Sequence, residues 1–454
     1  ARSSKYKPGY AEEKVWNYAD AGRDGGVTRA TLIARARAAG WVDPDEMPDE
    51  ADWAPVAEPI LSVGADAPPP ERRGIPDARH LCTDQANAVR LVKAYGSKVL
   101  VAAGRWHVWD KLRWRADEAD VYRMACRLST IVKDEARDVL ARAKAAMGED
   151  GATARVEQAQ KTAEMLEKWS TRCESRATIE AALGLARKML NVDVGSLDAN
   201  PWLLNCLNGV VDLRTGEIRP ARPEDLITKL APVEYLGTGE AARCAEWEDA
   251  VKTIAGSEAV AAFLKRWFGY CSTGDTREQV FVVHWGDGSN GKSTIMATVA
   301  RVLGDYAGTA APGLLVGGEK ERHPTEIADL QGKRMVTAHE TREGVVLRDD
   351  FVKQATGGDM LKARYMREDF FEFAPTHKLQ LLTNNKPTVR GQDHGIWRRV
   401  RLVSYGQRFG RAEDVAAGLA TAVGDPGLMG RLAEPKAATG VLAWLVEGAM
   451  EWYR

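Results

Sequence analysis

The sequence predicts an α/β protein: a parallel sheet flanked by helices around a phosphate-binding loop, preceded by a mostly helical α+β region. Three observations predict it. The apolar run Val280-Phe281-Val282-Val283 leads into Gly286-Asp287-Gly288-Ser289-Asn290-Gly291-Lys292-Ser293, and helical spacing follows at Ile295, Met296, Val299, Val302 and Leu303, stopped by Gly304. Two later apolar runs, Met335–Ala338 and Leu379–Leu382, lead to Glu340 and Asn384, the pattern of buried strands carrying polar groups at one end. Upstream, charged segments near 117–147, 152–170 and 175–190 repeat their apolar residues at helical period.

The loop matches every fixed position of a phosphate-binding loop. Its glycines let backbone N–H groups turn inward, Lys292 can reach β- and γ-phosphates, and the Ser293 hydroxyl can ligate Mg²⁺. The start of the following helix adds unpaired N–H groups and a favourable dipole. Gly286, Asp287, Gly288, Ser289, Asn290, Gly291, Lys292, Ser293 and Thr294 are therefore the expected nucleotide-binding residues, with ATP and Mg²⁺ as ligands.

At 454 residues the chain exceeds one ordinary core. Apolar content of 44% with 28% charged residues fits a globular protein, no apolar run is long enough to span a membrane, and the widely spaced cysteines suit a reduced, cytoplasmic location. The six cysteines lie far apart without a CxxC pair, which argues against structural zinc. A net charge of −1 excludes a surface that coats duplex DNA throughout. It leaves room for a local basic feature: residues 359–401 hold nine Lys/Arg against five Asp/Glu. The chain begins at Ala1 without Met or an apolar signal core, as expected of an internal or processed boundary.

Composition divides the chain into a short helical segment (1–45), an acidic and Pro-rich linker (46–79), a helical domain (80–230), a helical collar (231–274), the phosphate-loop core (275–410) and a helical tail (411–454). Val99–Val101 and Trp106–Trp109 read as strands in the second domain, and Val210–Leu213 with Glu217-Ile218 as a hairpin. The fourteen tryptophans are scattered and read as packing residues.

Four features of the core carry further chemistry. Arg334–Glu340 is a strand ending in an acid, which can orient or deprotonate an attacking water; Glu340 is thus a candidate catalytic and metal-binding residue. Asn384, ahead of Asn385, could sense a γ-phosphate or simply open a turn before Lys386-Pro387. Arg399 first and Arg398 second could neutralise transition-state charge at a neighbouring copy's nucleotide, or be solvated edge charges. Between acid and amide, Met360–Met366 and Phe370–Phe373 form an expected hairpin. Its Lys362, Arg364 and Arg367 could track a phosphate backbone, or be ordinary surface charges.

This motif series resembles superfamily 3 helicases, nearest to the phage, plasmid and poxvirus primase-helicases. The resemblance includes the phosphate loop, Glu340, Thr356-Gly357-Gly358-Asp359 with the hairpin, Thr383-Asn384-Asn385-Lys386-Pro387, and Trp397-Arg398-Arg399. Upstream, Asp198–Asn205, Asn208–Leu213 and Arg214-Thr215-Gly216 are similar to the helical domain that precedes the ATPase in that group. It implies an AAA+-like core in a homo-oligomeric, hexameric ring that hydrolyses ATP and moves along single-stranded DNA in phage or mobile-element replication, with a primase or polymerase as a further partner. Residues 1–45 carry no primase carboxylate cluster, so priming is not expected of this chain. Two departures stand out: His339 replaces the second acid common before the strand-end Glu, and Lys111 replaces a turn glycine. With the sequence stopping at Arg454, a C-terminal winged-helix domain is expected to be missing or reduced. The alternative reading is a nucleotide-switched DNA-binding, origin-melting or loading ATPase that does not unwind processively. A third is a phage-defence or stress ATPase on the same fold.

Overall fold

The computed structural model describes residues 81–145, 152–311, 313–316, 324–340, 343–366, 370–389 and 394–454. The expected segment 1–45, the linker 46–79 and Arg367 lie outside the described residues. Residues 73–454 form one compact unit.

The described chain opens with helix α1 (Asp84–Tyr95), whose first turn is capped by the Thr83 hydroxyl accepting from Ala86 N. Strands β1 (Val99–Ala102), β2 (Arg105–Trp109) and β3 (Trp114–Ala116) then form an antiparallel meander. Its first turn places Ala103 and Gly104 at positive φ, as a two-residue hairpin requires. Lys111 also sits at φ 82°, and the Asp110 carboxylate supports that turn by accepting from Leu112 N and Arg113 N. The segment 117–147, expected as one helix, is two: α2 (Glu118–Ala125) and α3 (Leu128–Ala145). The buried series Val121, Ala125, Leu128, Val132, Ala136 keeps one period across the break, so periodicity alone cannot reveal it. Helices α4 (Ala152–Arg172) and α5 (Arg176–Met189) complete this bundle, with α3 and α4 packed along each other. A second antiparallel meander follows: β4 (Leu203–Cys206), β5 (Gly209–Asp212) and β6 (Ile218–Arg219). Collar helices α6 (Ala245–Ala255) and α7 (Glu258–Ser272) then lead to the main sheet.

That sheet has five parallel strands in the order β13-β7-β12-β9-β8: Val400–Ser404, Phe281–Trp285, Lys378–Thr383, Met335–Glu340 and Ala307–Thr309. Helix α8 (Lys292–Leu303) connects β7 to β8, and α9 (Pro324–Ala328) and α10 (Asp349–Thr356) lie in later connections. Strands β10 (Leu361–Ala363) and β11 (Phe371–Phe373) pair antiparallel as the expected hairpin, and the short helix α11 (His394–Trp397) precedes β13. Apolar side chains are buried on both faces. Val282, Leu382, Met335 and Val403 pack with collar, α8 and C-terminal residues, while Phe281, Val283, Val336, Leu379 and Leu381 pack with α9, α10 and the hairpin. Burial on both sides is why these strands read as continuous apolar runs.

The tail is not wholly helical. Short strands β14 (Phe409-Gly410) and β15 (Ala422-Val423) pair in parallel around α12 (Ala412–Ala416), and α13 (Leu428–Arg431) precedes the long α14 (Pro435–Tyr453). Glycines 406, 410, 418, 424 and 427, with Pro426, interrupt helical propagation there.

Two buried cations join the helical region to the main sheet at the amino ends of β9 and β12. Arg334 donates to the carbonyls of Ser272 (2.8 Å) and Leu203 (2.7 Å), and its guanidinium lies over the Tyr306 ring at 4.4 Å. Lys378 donates to the carbonyls of Thr273, Asp275 (3.2 Å) and Thr376 (3.1 Å). Both serve the carbonyl end of α7, where positive charge is favoured.

Candidate nucleotide and polynucleotide sites

Strand β12 lies between β7 and β9, so the chain leaves neighbouring strands in opposite directions and opens a crevice at their carboxyl ends. Thr383 is in register with both Trp285 and Glu340. The phosphate-type loop, the strand-end acid and the following amides therefore share one edge of the sheet.

The loop has the shape its sequence predicts. Gly288, Ser289 and Gly291 take φ of 97°, 50° and 78°, the alternation that turns successive N–H groups into a concavity for an anion. A side chain at Gly291 would be strained by this φ, and its Cβ would meet Ile254 of the collar at 2.5 Å. Lys292 is 5% exposed; its ammonium donates to the Gly286 carbonyl at 2.6 Å and lies 3.4 Å from Asn384 Oδ1. Burial lowers its pKa, and the nearby Asp287 partly opposes that. Asn290 is 3% exposed with its Nδ2 unpartnered, a buried donor awaiting an acceptor. A triphosphate fits this set: a cradle open to backbone N–H groups, a buried lysine side chain and an orphan amide.

Glu340 is buried at the end of β9 while His339 beside it is exposed, following strand alternation. Asn384 is exposed and Asn385 half-buried. The Asn385 backbone N–H and carbonyl are both engaged by the Thr383 hydroxyl, and the side chain of Asn384 faces Lys292. Ser293 is exposed and Thr294 half-buried at the helix start. Among the described residues no cluster of three or more His, Cys, Asp or Glu could hold a metal ion.

Beneath the loop runs a buried polar chain that sequence reasoning missed. His284 bonds Tyr405 Oη (2.8 Å) through Nδ1 and Gln380 Oε1 (3.2 Å) through Nε2. The Gln380 carbonyl oxygen also accepts from Trp267 Nε1 (3.0 Å), and its amide donates to Thr337 Oγ1 (2.8 Å). Burial depresses the His284 pKa to about 3, so the ring is a neutral structural link. A polar residue inside an apolar strand was the available signal.

The arginine pair lies at the opposite, amino edge of the sheet. Of the two expected residues, Arg399 first and Arg398 second, the first is the more buried. Arg399 is 8% exposed, and its guanidinium is held by Thr356 Oγ1 (3.1 Å), the Gly395 carbonyl (2.7 Å) and Gln279 Oε1 (3.3 Å). Arg398 is exposed and donates to Gln279 Oε1 through Nη2. The phase of the turn entering β13 decides which arginine faces inward, and sequence does not encode that phase legibly. Strand β13 starts at Val400 opposite Phe281, four residues or about 13 Å before the end of β7, and the arginine pair lies one to two residues further back.

The hairpin displays its cations. Leu361 and Ala363 are buried, whereas Lys362 and Arg364 are exposed and flank the half-exposed Phe370 ring at 5.3 and 4.8 Å. Met360 and Met366 are also exposed. An aromatic face with two cations is suited to stacking a base and holding its phosphate. Lys362→Ala with Arg364→Ala is expected to weaken single-strand affinity and flatten the log–log salt dependence by about 1.4, at about 0.7 for each phosphate no longer neutralised. Fluorescence-anisotropy titration across a salt series checks this, and an unchanged slope removes the hairpin from the polynucleotide path.

The fold and this edge define an α/β protein with a strand–loop–helix anion site. Residues 88–256 match the family model described as D5 N terminal like, a range running from within α1 to the end of α6. Curated relatives include proteins named "Putative helicase" from Acanthamoeba polyphaga mimivirus, 29% identical over 217 residues, and from Invertebrate iridescent virus 6, 23% identical over 249 residues. These cover 47% and 52% of this chain but only 23% and 26% of the viral proteins, so the chain spans about a quarter of their length. A protein named "Putative primase" from African swine fever virus is 29% identical over 128 residues, covering 28% of this chain and 13% of that protein. Together these make the chain similar to large-DNA-virus proteins named as helicases and primases. Among solved structures, the apo C-terminal region of NrS-1 aligns over 52% of this chain and 59% of that one, at 10% identity and a TM-score of 0.33.

Proposed function

We propose that the chain is the motor of an ATP-dependent replicative DNA helicase of superfamily 3, working as a ring of identical subunits on single-stranded DNA. The observation that carries this reading is the shared carboxyl edge of the sheet. Lys292 and Asn384 approach each other there, and Glu340 stands one strand away in the same register row. In the reading, Gly286–Thr294 hold ATP, the Lys292 ammonium draws charge from the β- and γ-phosphates, and Glu340 orients the attacking water. Asn384 bridges Lys292 and the γ-phosphate. Mg²⁺, held by Ser293 with Glu340 nearby, would neutralise phosphate charge. Such a motor works in the cytoplasm beside a primase or polymerase.

An arginine acting on its own subunit's nucleotide is at odds with the amino-edge position of the pair. Action across a subunit boundary fits it, and Arg398 is the exposed candidate. Mixing Arg398→Ala with wild type is expected to poison activity, so that a half-and-half mixture hydrolyses ATP at well under half the wild-type rate. A rate proportional to the wild-type fraction excludes action between subunits. Unwinding of a forked duplex with one labelled strand tests the function itself. ATP hydrolysis and strand binding without separation would instead establish a nucleotide-switched melting or loading ATPase.

A further inference from the structure

Resting on the motor reading above, we infer that Gln279 is a positioning residue that couples the strand-contacting hairpin to the arginines offered to the neighbouring nucleotide. Its one side chain reaches both. The amide Nε2 donates to the Gly357 carbonyl at 3.1 Å, at the end of α10 and four residues before β10. The Oε1 accepts from Nη2 of both Arg398 and Arg399. A second link runs parallel to it: Thr356 Oγ1 accepts from Arg399 Nε at 3.1 Å, and Gly357 follows Thr356 directly. The base of the hairpin and the guanidinium pair are thus fastened to one another through two adjacent residues and one amide.

Backbone geometry supports the assignment independently. Gln279 sits at φ 53°, a region that L-residues with side chains populate sparsely, and its N–H bonds back to Thr276 O at 3.1 Å. Glycine or asparagine would take this conformation with less strain, but neither could span the gap with a full glutamine amide. Such a conformation persists when the surrounding contacts hold it, and it gathers at mechanically active positions. Gln279 also stands two residues before β7, the strand that ends in the phosphate loop. A displacement of the hairpin by a passing polynucleotide would therefore move the arginines relative to the rigid sheet. The neighbour's hydrolysis would then depend on whether a strand is engaged.

The amide's two ends can be tested separately. Gln279→Glu keeps an acceptor for both arginines but removes the donor to Gly357, whereas Gln279→Ala removes both. For Gln279→Glu the expected result is an unchanged KM for ATP and an unchanged thermal midpoint. The ratio of single-strand-stimulated to basal kcat should fall about tenfold, the scale of one lost hydrogen bond between neutral groups. Gln279→Ala should abolish the stimulation and lower kcat further. Stimulation retained at the wild-type ratio in Gln279→Glu overturns the inference, as does a lowered thermal midpoint in both variants with the ratio intact. A wild-type protein whose hydrolysis ignores single strands overturns the motor reading and the inference together, so the two failures are told apart in one experiment.

Discussion

Lys292→Ala is expected to reduce ATP hydrolysis by about three orders of magnitude, equivalent to about 4 kcal/mol of transition-state stabilisation. In the free protein the ammonium rests on the Gly286 carbonyl at 2.6 Å, within its own loop, and burial lowers its pKa. An arriving triphosphate reverses that balance, because several negative charges close to Lys292 favour the protonated form. Both binding and chemistry draw on the same cation, so affinity for a fluorescent ATP analogue should fall along with kcat. Lys292→Arg should fail nearly as badly, since a planar fork replaces a point charge in a cradle closed by Ile254 and Asn290. Steady-state hydrolysis within about tenfold of wild type in Lys292→Ala would remove the nucleotide site from this loop.

Arg334→Met is expected to destabilise the protein by about 3 kcal/mol, seen as a lower denaturant midpoint with an unchanged m-value. The guanidinium is fully enclosed, lies over Tyr306, and satisfies carbonyls from both the helical region (Leu203) and the collar (Ser272). Methionine retains much of the stem packing but leaves two buried carbonyls without donors. A change smaller than about 1 kcal/mol would mean that water takes over those acceptors and that the junction is held elsewhere. Elsewhere would be Lys378, or the ion pair between Arg113 and Asp305.

The elements that were legible are those written in local periodicity. The phosphate loop could be read because strand, glycines and helix are contiguous, and the acid and amide because each ends an apolar run. The hairpin was readable from alternation, and the structure exposes Lys362 and Arg364 as that alternation requires. What could not be read depends on distant partners. Nothing around Arg334 or Lys378 announces that their acceptors lie in 200–203 and 272–275. Which of Arg398 and Arg399 is buried turns on one residue of phase at a strand entrance. Gln279 drew no notice because its significance is a matter of three partners, at 357, 398 and 399, that only the fold assembles.

Helix α14 crosses α7 with the two backbones nearly touching. A Cβ at Gly269 would fall 2.1 Å from Ala449 N, and one at Gly448 would fall 2.2 Å from Lys265 O. Lys265 then pairs with Glu447 and Glu451 across the crossing, while Val441, Leu442, Leu445 and Val446 enter the same core that receives Ile295 and Val299 from the phosphate-loop helix. The partners in this crossing are separated by most of the main sheet in sequence, so the crossing is costly to form early. During vectorial synthesis, the helix bearing Lys292 must wait, one flank bare, for a segment translated long after it.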